Sequence, residues 1–295
     1  MRQVSDWVIT GIGAAVVLAA LRDVFHTLWH PSGRSGLGRN VMAAVWRAGR
    51  PRRGHSRVSV LAGPLAMVVV VLAWIVLIVL GWTLIYWPHL ADGFFMSEGL
   101  QQTSRGGFLD ALYLSMVTVA TLGFGDIVPT EEWLRIAVPL QALLGFALLT
   151  AAVTWVLQVY PALTRRRALA LRLSLLRRAD AVRVLSEEDV PMAANLLEDL
   201  SGELVQARVD LTQYAETYYF RDGEASASLA ATIGTALQLA HAAERSPRAD
   251  MRFAGTLLDA ALSDFAQLLD GQFLRVGGPP EGVLAAYAAD HGHAA

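Results

Sequence analysis

The sequence predicts an all-α membrane protein. We expect a hairpin of two spans around a half-crossing helix, an additional N-terminal transmembrane helix and an all-α cytoplasmic C-terminal domain. Three observations predict this class. The chain is 54% hydrophobic and only 17% charged, with a mean hydropathy of +0.42, which is too apolar for an ordinary soluble domain. Two long segments carry no charged residue, and a glycine-rich stretch lies between them.

The two predicted spans are residues 58–87 and residues 136–160. At about 1.5 Å per helical residue the first reaches roughly 45 Å, which exceeds a hydrocarbon core of about 30 Å. Its far end carries Trp82, Tyr86 and Trp87, aromatic residues typical of a membrane–water interface. We therefore assign residues 58–162 to one membrane module.

The distribution of arginines predicts the orientation. Five arginines lie between residues 47 and 57, before the first span, and Arg165, Arg166 and Arg167 follow the second. By the positive-inside bias both flanks are cytoplasmic, which places residues 88–132 outside. All 24 basic residues are arginine, which we interpret as the codon bias of a GC-rich bacterium, so we expect a multi-pass protein of the cell inner membrane.

The connector between the spans has an unusual sequence for a membrane protein. Residues 108–120 are apolar but only about four turns long as a helix, too short to cross. They run directly into Thr121-Leu122-Gly123-Phe124-Gly125-Asp126. Extended glycine-rich backbone is excluded from lipid contact and is tolerated only where protein buries it or where it lines water. Glycines permit the backbone angles that turn successive carbonyls toward one axis, where the oxygens can replace the hydration shell of a cation.

These residues resemble the selectivity filter of the two-transmembrane pore-loop potassium channel family of bacteria. The resemblance covers residues 58–162 as span, pore helix, filter and span. It implies an ion selectivity filter formed by Thr121, Leu122, Gly123, Phe124 and Gly125, with Asp126 at the outer mouth. Phe124 stands where tyrosine is usual, Leu122 where valine is usual, and Ala120 where threonine is common. The alternative is a glycine-rich outside turn with no role in ion conduction.

The resemblance implies a passive potassium-selective channel, and we expect its cytoplasmic helical domain to regulate it. One pore unit per chain and the lack of an internal repeat imply self-association. The resemblance implies four-fold symmetry, and we therefore expect a homotetramer. We expect potassium as the permeating ion, no cofactor, no other metal, no catalytic residue and no nucleic-acid partner. Two alternatives stay open: a weakly selective cation channel, which the departures at Phe124 and Ala120 favour, and a membrane sensor or scaffold that acts through the helical domain.

Gly145 lies in the middle of the second span. In similar channels a glycine there lets the inner helix bend, so Gly145 is a candidate gating hinge. A small residue that allows close helix packing is an equally good interpretation. Below it, five apolar residues offer a lining that could close by dewetting: Ala151, Ala152, Val153, Val156 and Leu157.

Residues 1–57 form an N-terminal region with a basic cytoplasmic linker. Residues 7–21 are apolar but reach only roughly 22 Å as a helix, so we extend the helix to His30 and predict a third span. The alternative is an amphipathic helix in the inner interface. Asp23, His26 and His30 would share one helix face, either as a metal or proton site or simply as interfacial polar residues. The basic segment 41–57 suits contact with anionic lipid.

Residues 163–295 predict a helical domain. Segments 187–219, 225–243 and 250–272 show a 3.6-residue periodicity, and no alternating strand pattern or GxGxxG motif accompanies them. The absence of a nucleophile–base arrangement indicates that this region is not an enzyme. Residues 214–220 ("YAETYYF") predict either core packing or a ligand pocket. We expect the tail from Ala288 to be disordered.

Arg165, Arg166 and Arg167 are candidate contacts for membrane lipids, anionic lipids in particular. Each arginine near an anionic surface contributes about 1 kcal/mol of attraction, so several together could bias the helix that follows the second span. The alternative interpretation is that these arginines only determine topology.

Overall fold

The computed structural model describes residues 2–29, 36–48, 61–97, 107–187 and 192–293, and these residues are mostly helical. Eleven helices longer than a single 3₁₀ or π turn occur in this part of the chain. They are α1 (Arg2–Trp29), α2 (Leu37–Ala48), α3 (Ala62–Tyr86), α4 (Leu90–Gly93), α5 (Phe108–Val119), α6 (Glu132–Arg178), α7 (Ala181–Glu187), α8 (Ala193–Gln213), α9 (Leu229–Glu244), α10 (Ala249–Leu269) and α11 (Pro280–Asp290).

The described residues form two compact units. The first comprises residues 2–29, 36–38, 67–97 and 107–157, and the second comprises residues 39–48, 61–66, 158–187 and 192–293. Three helical segments are long and apolar enough to cross a membrane: Gln3–Leu28, Ala62–Gly93 and Glu132–Arg178. The prediction of an all-α membrane protein is therefore confirmed.

Within the first unit, α1 packs against α3 through two glycines. A Cβ atom built on Gly13 would lie 2.5 Å from the carbonyl oxygen of Gly81, and one built on Gly81 would lie 2.7 Å from a methyl of Val17. Helices in membranes associate through small residues of this kind, because these let the backbones approach closely. Such packing along α1 favours a span over a helix lying in the interface.

Asp23 is the acidic residue in the second half of α1, and its carboxylate has partners. The indole nitrogen of Trp74 on α3 donates to Asp23 Oδ2 at 2.8 Å, and the backbone N–H of Gly38 donates to the same oxygen at 3.3 Å. His30 lies outside the described residues. Among the residues that the structure describes, no group of three or more His, Cys, Asp or Glu side chains could hold a metal ion.

Two short strands in the connector differ from the purely helical expectation. β1 (Phe94–Met96) pairs antiparallel with β2 (Ile127–Pro129), with Phe95 opposite Val128. Each strand has three residues, too short for an alternating sequence pattern to reveal it. The ladder joins the chain before α5 to the chain directly after Asp126.

In the second unit, α10 packs against α8, α9 and α11. Its buried side is a regular stripe of apolar residues spaced three and four apart: Met251, Ala254, Leu258, Ala261, Leu262, Phe265 and Leu269. The predicted helix 187–219 is shorter in the structure, because the chain leaves the α-helix after Gln213 and continues as a 3₁₀ turn over Ala215–Tyr219. Residues 188–191 lie outside the described residues.

The aromatic stretch at 214–220 is core, as one of its two interpretations predicts. Tyr218 stacks on Phe273 with ring centroids 4.1 Å apart, and its hydroxyl donates to Asp290 at 2.7 Å. Trp46 of α2 packs on Tyr218 and also donates to Asp290, at 3.2 Å. Trp46 and Met42 are thus buried in the helical unit, whereas residues 49–57 of the predicted lipid-binding segment lie outside the described part of the chain.

The C-terminal tail is ordered through His293, contrary to our expectation for residues from Ala288 onward. α11 continues to Asp290, and His291 is buried with its ring nitrogens 3.1 Å from the carbonyl oxygen of Tyr287 and 3.0 Å from that of Tyr218. Burial lowers the pKa of His291 to about 4. The helix has the mostly apolar sequence PEGVLAAYAAD, and Pro279 and Pro280 mark its start.

We predict that Gly13→Ala destabilises the protein whereas Gly11→Ala does not. The added methyl at residue 13 meets the Gly81 carbonyl, but a Cβ at residue 11 has no neighbour within 4 Å. Overpacking of this kind costs about 1–3 kcal/mol, while alanine in an open helical position is neutral or favourable. The measurement is the melting temperature of each variant in detergent. Equal melting temperatures would show that α1 does not pack on α3 at this crossing.

A second prediction concerns Glu216, in the 3₁₀ turn. The residue retains some exposed surface, yet burial of its carboxyl raises the pKa to about 7 from an ordinary 4.5. The folded state therefore holds its proton more tightly than the unfolded state. The contribution of this carboxyl to the free energy of unfolding is fully present below pH 4.5 and is lost as the pH rises through 7.

Glu216→Gln keeps the neutral form at every pH. We expect it to raise the melting temperature at pH 8 by about 2 °C or more, and to change it little at pH 5, where the wild-type carboxyl is already protonated. Glu198→Gln, at an exposed acid of α8, is the comparison. An equal gain at both pH values would contradict the assignment of this pKa.

Candidate ion pathway

The pore-helix candidate α5 begins and ends with defined hydrogen bonds. At its start the backbone N–H of Gly107 donates to Asp110 Oδ2 at 2.9 Å. At its end the N–H groups of Thr121 and Leu122 donate to the carbonyls of Thr118 and Val117, each at 2.9 Å. The segment after α5 therefore donates hydrogen bonds to two of the last carbonyls of α5. These bonds hold the segment against the end of the helix.

Thr121–Gly125 is the predicted filter segment, and its backbone alternates in handedness. Thr121, Gly123 and Gly125 have φ angles of +58°, +55° and +77°, whereas Leu122 and Phe124 are not among the positive-φ residues. The sign of φ thus alternates along the segment, and such alternation allows successive peptide groups to share one orientation. All five residues are exposed in the single chain.

Asp126 ties the end of this segment to its surroundings. The hydroxyl of Tyr113, on α5, donates to Asp126 Oδ2 at 2.6 Å, and the backbone N–H of Ile127 donates to Oδ1 at 3.1 Å. The carbonyl of Asp126 accepts from Ser97 N at 2.9 Å, next to the β1–β2 ladder. Sequence reasoning found Asp126 but missed Tyr113, because nothing in the sequence pairs one tyrosine of a short helix with an acid 13 residues later.

A buried polar network lies behind α5. Gln141 of α6 accepts from the hydroxyl of Tyr86 at 2.8 Å and donates to Ser115 Oγ at 2.8 Å and to its carbonyl at 3.0 Å. Ser115 Oγ in turn donates to the carbonyl of Val79 at 2.9 Å. The network joins α3, α5 and α6. Fully paired polar groups in an apolar interior specify how helices pack, so this network positions α5 between the two spans.

Gly145 packs against the end of α5. A Cβ built on Gly145 would lie 2.3 Å from the carbonyl oxygen of Val119 and 2.9 Å from a methyl of the same residue. Close packing of α6 on α5 therefore explains the glycine, because a side chain at residue 145 would clash with Val119. The gating-hinge role stays a prediction.

The predicted apolar lining of α6 divides into two faces. Val153, Val156 and Leu157 are exposed in the single chain, whereas Ala152 is buried and Ala151 is half-buried. The exposed side of α6 also includes Leu143, Phe146 and Leu149. An exposed apolar face is thus available to line a pathway or to contact other chains.

The three candidate lipid contacts have protein partners in the second unit. Arg165 forms a bidentate pair with Asp210, at 2.8 and 2.7 Å. Arg166 is 9% exposed and donates to the carbonyls of Thr217 and Phe220 at 2.6 and 3.0 Å. Asp222 pairs with both Arg166, at 3.3 Å, and Arg167, at 2.7 Å. The structure therefore gives these arginines an intramolecular role, and lipid contact stays a prediction.

Comparison with known proteins agrees with the membrane module. A family model described as "Ion channel" matches residues 65–160. The chain is also 29% identical over 160 residues, 54% of its length, to the "Uncharacterized membrane protein YdjJ" of Bacillus subtilis (strain 168). The match covers 46% of that relative, so the chain aligns with about half of the relative's length. No solved structure matches the chain.

We predict that Tyr113→Phe loosens the filter segment without unfolding the membrane module. The substitution removes the hydrogen bond to a carboxylate, a contribution of about 1.5–3 kcal/mol. Amide hydrogen exchange at residues 122–127 should therefore accelerate at least about tenfold, while exchange in the middle of α6 stays as in the wild type. Tyr160→Phe, at an exposed tyrosine of α6, serves as the control. Unchanged exchange at residues 122–127 would mean that Asp126 is not held by Tyr113.

Proposed function

We propose that the protein is a passive, potassium-selective ion channel that assembles as a homotetramer. The observation that carries this proposal is the alternation of φ along Thr121–Gly125, directly after a half-crossing helix. Carbonyl oxygens arranged in this way replace the water around a dehydrated cation. The match of residues 65–160 to an ion-channel family supports the same conclusion.

Four copies are needed to complete such a pathway. Each chain supplies one strip of carbonyls, and a ring around a single axis requires several strips. Leu122 and Phe124 are 59% and 65% exposed in the single chain, which leaves large apolar side chains without cover. Neighbouring copies would bury them. Four-fold symmetry is what the resemblance to potassium channels implies.

The contacts that brace the filter segment favour a potassium-selective channel over the alternative of a weakly selective cation channel. Phe124 lacks the hydroxyl with which a tyrosine would brace the filter. Here Tyr113 and Asp126 supply a brace from α5, at 2.6 Å, and the β1–β2 ladder holds the other side of Asp126. A braced filter keeps its oxygen spacing and therefore discriminates between cations of different size.

The remaining parts of the proposal follow from charge. The carboxyl end of α5, which carries the negative end of the helix dipole, would favour cations below the filter. The arginines that flank the spans support a cytoplasmic C-terminal domain in a bacterial cell, with residues 88–132 outside. Regulation by the helical domain is supported by the ion pairs of Arg165 and Arg167, which fix the last part of α6 to that domain.

The test is ion flux in liposomes that contain the purified protein. We expect potassium and rubidium to permeate at least about tenfold faster than sodium under bi-ionic conditions. Gly123→Ala adds a Cβ where φ is +55°, so this variant should lose selective conduction through backbone strain. Gly202→Ala, on an exposed and open position of α8, should conduct as the wild type does.

The possible results separate the alternatives. Equal flux of potassium and sodium would replace the proposal by a weakly selective cation channel. Selective flux that persists in Gly123→Ala would show that Thr121–Gly125 is not the filter. Absence of any flux from correctly inserted protein would reject conduction altogether.

A further inference from the structure

The N-terminal helix α1 carries an acidic residue, Asp23, within the segment Gln3–Leu28 that is long and apolar enough to cross a membrane. A carboxylate inside a span is costly unless it faces protein and accepts hydrogen bonds there, and acids at such positions commonly have a function. The contacts of Asp23 lead from α1 through α3 to α6, the helix whose exposed side is available to line the ion pathway.

Asp23 joins α1 to two other parts of the first unit. Its Oδ2 atom accepts from the indole nitrogen of Trp74 on α3 at 2.8 Å and from the backbone N–H of Gly38 at 3.3 Å. The chain also passes close to the other oxygen, because a Cβ atom built on Gly36 would lie 2.8 Å from Asp23 Oδ1. A carboxylate with these contacts has a defined position, and its hydrogen bond orients the Trp74 ring.

Trp74 contacts α6 through Trp155. The centroids of the two rings lie 5.6 Å apart, and the rings are tilted by 44°. Both side chains are buried. Within the described residues the indole nitrogen of Trp155 has no hydrogen-bond partner, so packing rather than a hydrogen bond of its own determines where this ring lies. The Trp74 ring, which Asp23 orients, is part of that packing.

Trp155 belongs to the buried side of the middle of α6. This side also includes Leu148 and Ala152, at steps of four and three residues. Leu149 and Val153 lie on the exposed side of the same helical turns. A helix transmits displacement as a rigid element, so a shift of Trp155 also changes the position of the exposed side. The contact at Trp155 thus acts on the surface that is available to line the pathway.

We propose that Asp23 is a positioning residue for the ion pathway. Through Trp74 and Trp155 it holds the α6 segment around Trp155, and it thereby determines how often the pathway opens. This inference rests on the proposed function, since that function makes α6 a wall of the pathway. Opening that moves α6 relative to α3 changes the contact between Trp74 and Trp155, so a substitution that releases Trp74 acts unequally on the closed and open states.

Ion selectivity should not depend on Asp23. The filter segment Thr121–Gly125 is braced by other residues, with Tyr113 donating to Asp126 at 2.6 Å. A change in opening without a change in selectivity therefore distinguishes a positioning role of Asp23 from general damage to the membrane module.

Single-channel recording in planar bilayers separates opening from conduction. Asp23→Ala removes the acceptor, and Trp74→Phe keeps an aromatic ring but removes the donor. Trp82→Phe is the matched control, because Trp82 is a buried tryptophan of the same helix whose indole nitrogen has no hydrogen-bond partner in the described part of the chain. Open probability, unitary conductance and the permeability ratio of potassium to sodium are measured for each full-length variant, and the melting temperature is measured in detergent.

We expect Asp23→Ala and Trp74→Phe to change the open probability at least about fivefold and in the same direction, because both remove a hydrogen bond to a carboxylate. Since they remove the same bond, the double variant should lie within about twofold of either single variant. Unitary conductance and the permeability ratio should stay within about twofold of the wild-type values in all variants, and so should the open probability of Trp82→Phe.

Asp23→Asn distinguishes the hydrogen bond from the mere presence of a side chain. It keeps one oxygen that can accept from both Trp74 and Gly38, so its open probability should lie closer to the wild-type value than that of Asp23→Ala. Equal effects of Asp23→Asn and Asp23→Ala would overturn the inference. Where Asp23→Ala does not insert, the comparison of Trp74→Phe with Trp82→Phe decides, and equal open probabilities of these two variants would overturn it.

The remaining results also decide between the two proposals. Unchanged opening in conducting Asp23→Ala, independent effects of the two substitutions in the double variant, or a loss of selectivity that accompanies the change in opening would each overturn the positioning role and leave the proposed channel intact. Absence of ion flux from the correctly inserted wild type would instead reject the proposed function.

Discussion

The arrangement of the membrane module follows from one constraint: in lipid, every backbone N–H and carbonyl must find a partner within the protein. Helices satisfy this constraint by themselves, but Thr121–Gly125 does not, because its alternating backbone directs carbonyls away from regular pairing. Within one chain all five residues are exposed, and protein holds only the two ends of the segment. The end of α5 pairs its first amides, and the chain beside the β1–β2 ladder pairs with Asp126 at its far end. α6 in turn packs on the end of α5 at Gly145, so closely that no side chain fits.

Polar side chains complete this protection where helices alone would leave gaps. Gln141, Tyr86 and Ser115 satisfy one another and the Val79 carbonyl behind α5, and Tyr113 satisfies Asp126 beside the filter segment. A polar group left unpaired in such surroundings costs several kcal/mol. Each pair can therefore form in only one packing of the three helices. The position of the segment Thr121–Gly125 thus depends on side chains that lie outside that segment.

The sequence predicted those parts of the molecule that depend only on residues close to one another along the chain. Span length, the short α5 and the glycine pattern at 121–125 follow from hydropathy and from backbone conformation, so they could be read directly. Tyr113 and Gln141 could not, because their partners are distant in sequence and their residue types are common in helices. The two strands were too short to carry a pattern, and α11 is a short helix whose start is marked only by two prolines.

The run Arg165–Arg167 shows what a charge pattern alone does not reveal. Positive residues after a span predict orientation irrespective of what they bind, so the sequence argument used them as a topology signal. In the folded unit the same guanidinium groups meet Asp210 and Asp222, and Arg166 also takes two backbone carbonyls from the turn after α8. Buried charge is stable only when it is paired in this way. The arginines from which the orientation was predicted thus also join the last part of α6 to the other helices of the second unit. Movement of the turn that contains Thr217 and Phe220 would therefore act directly on Arg166.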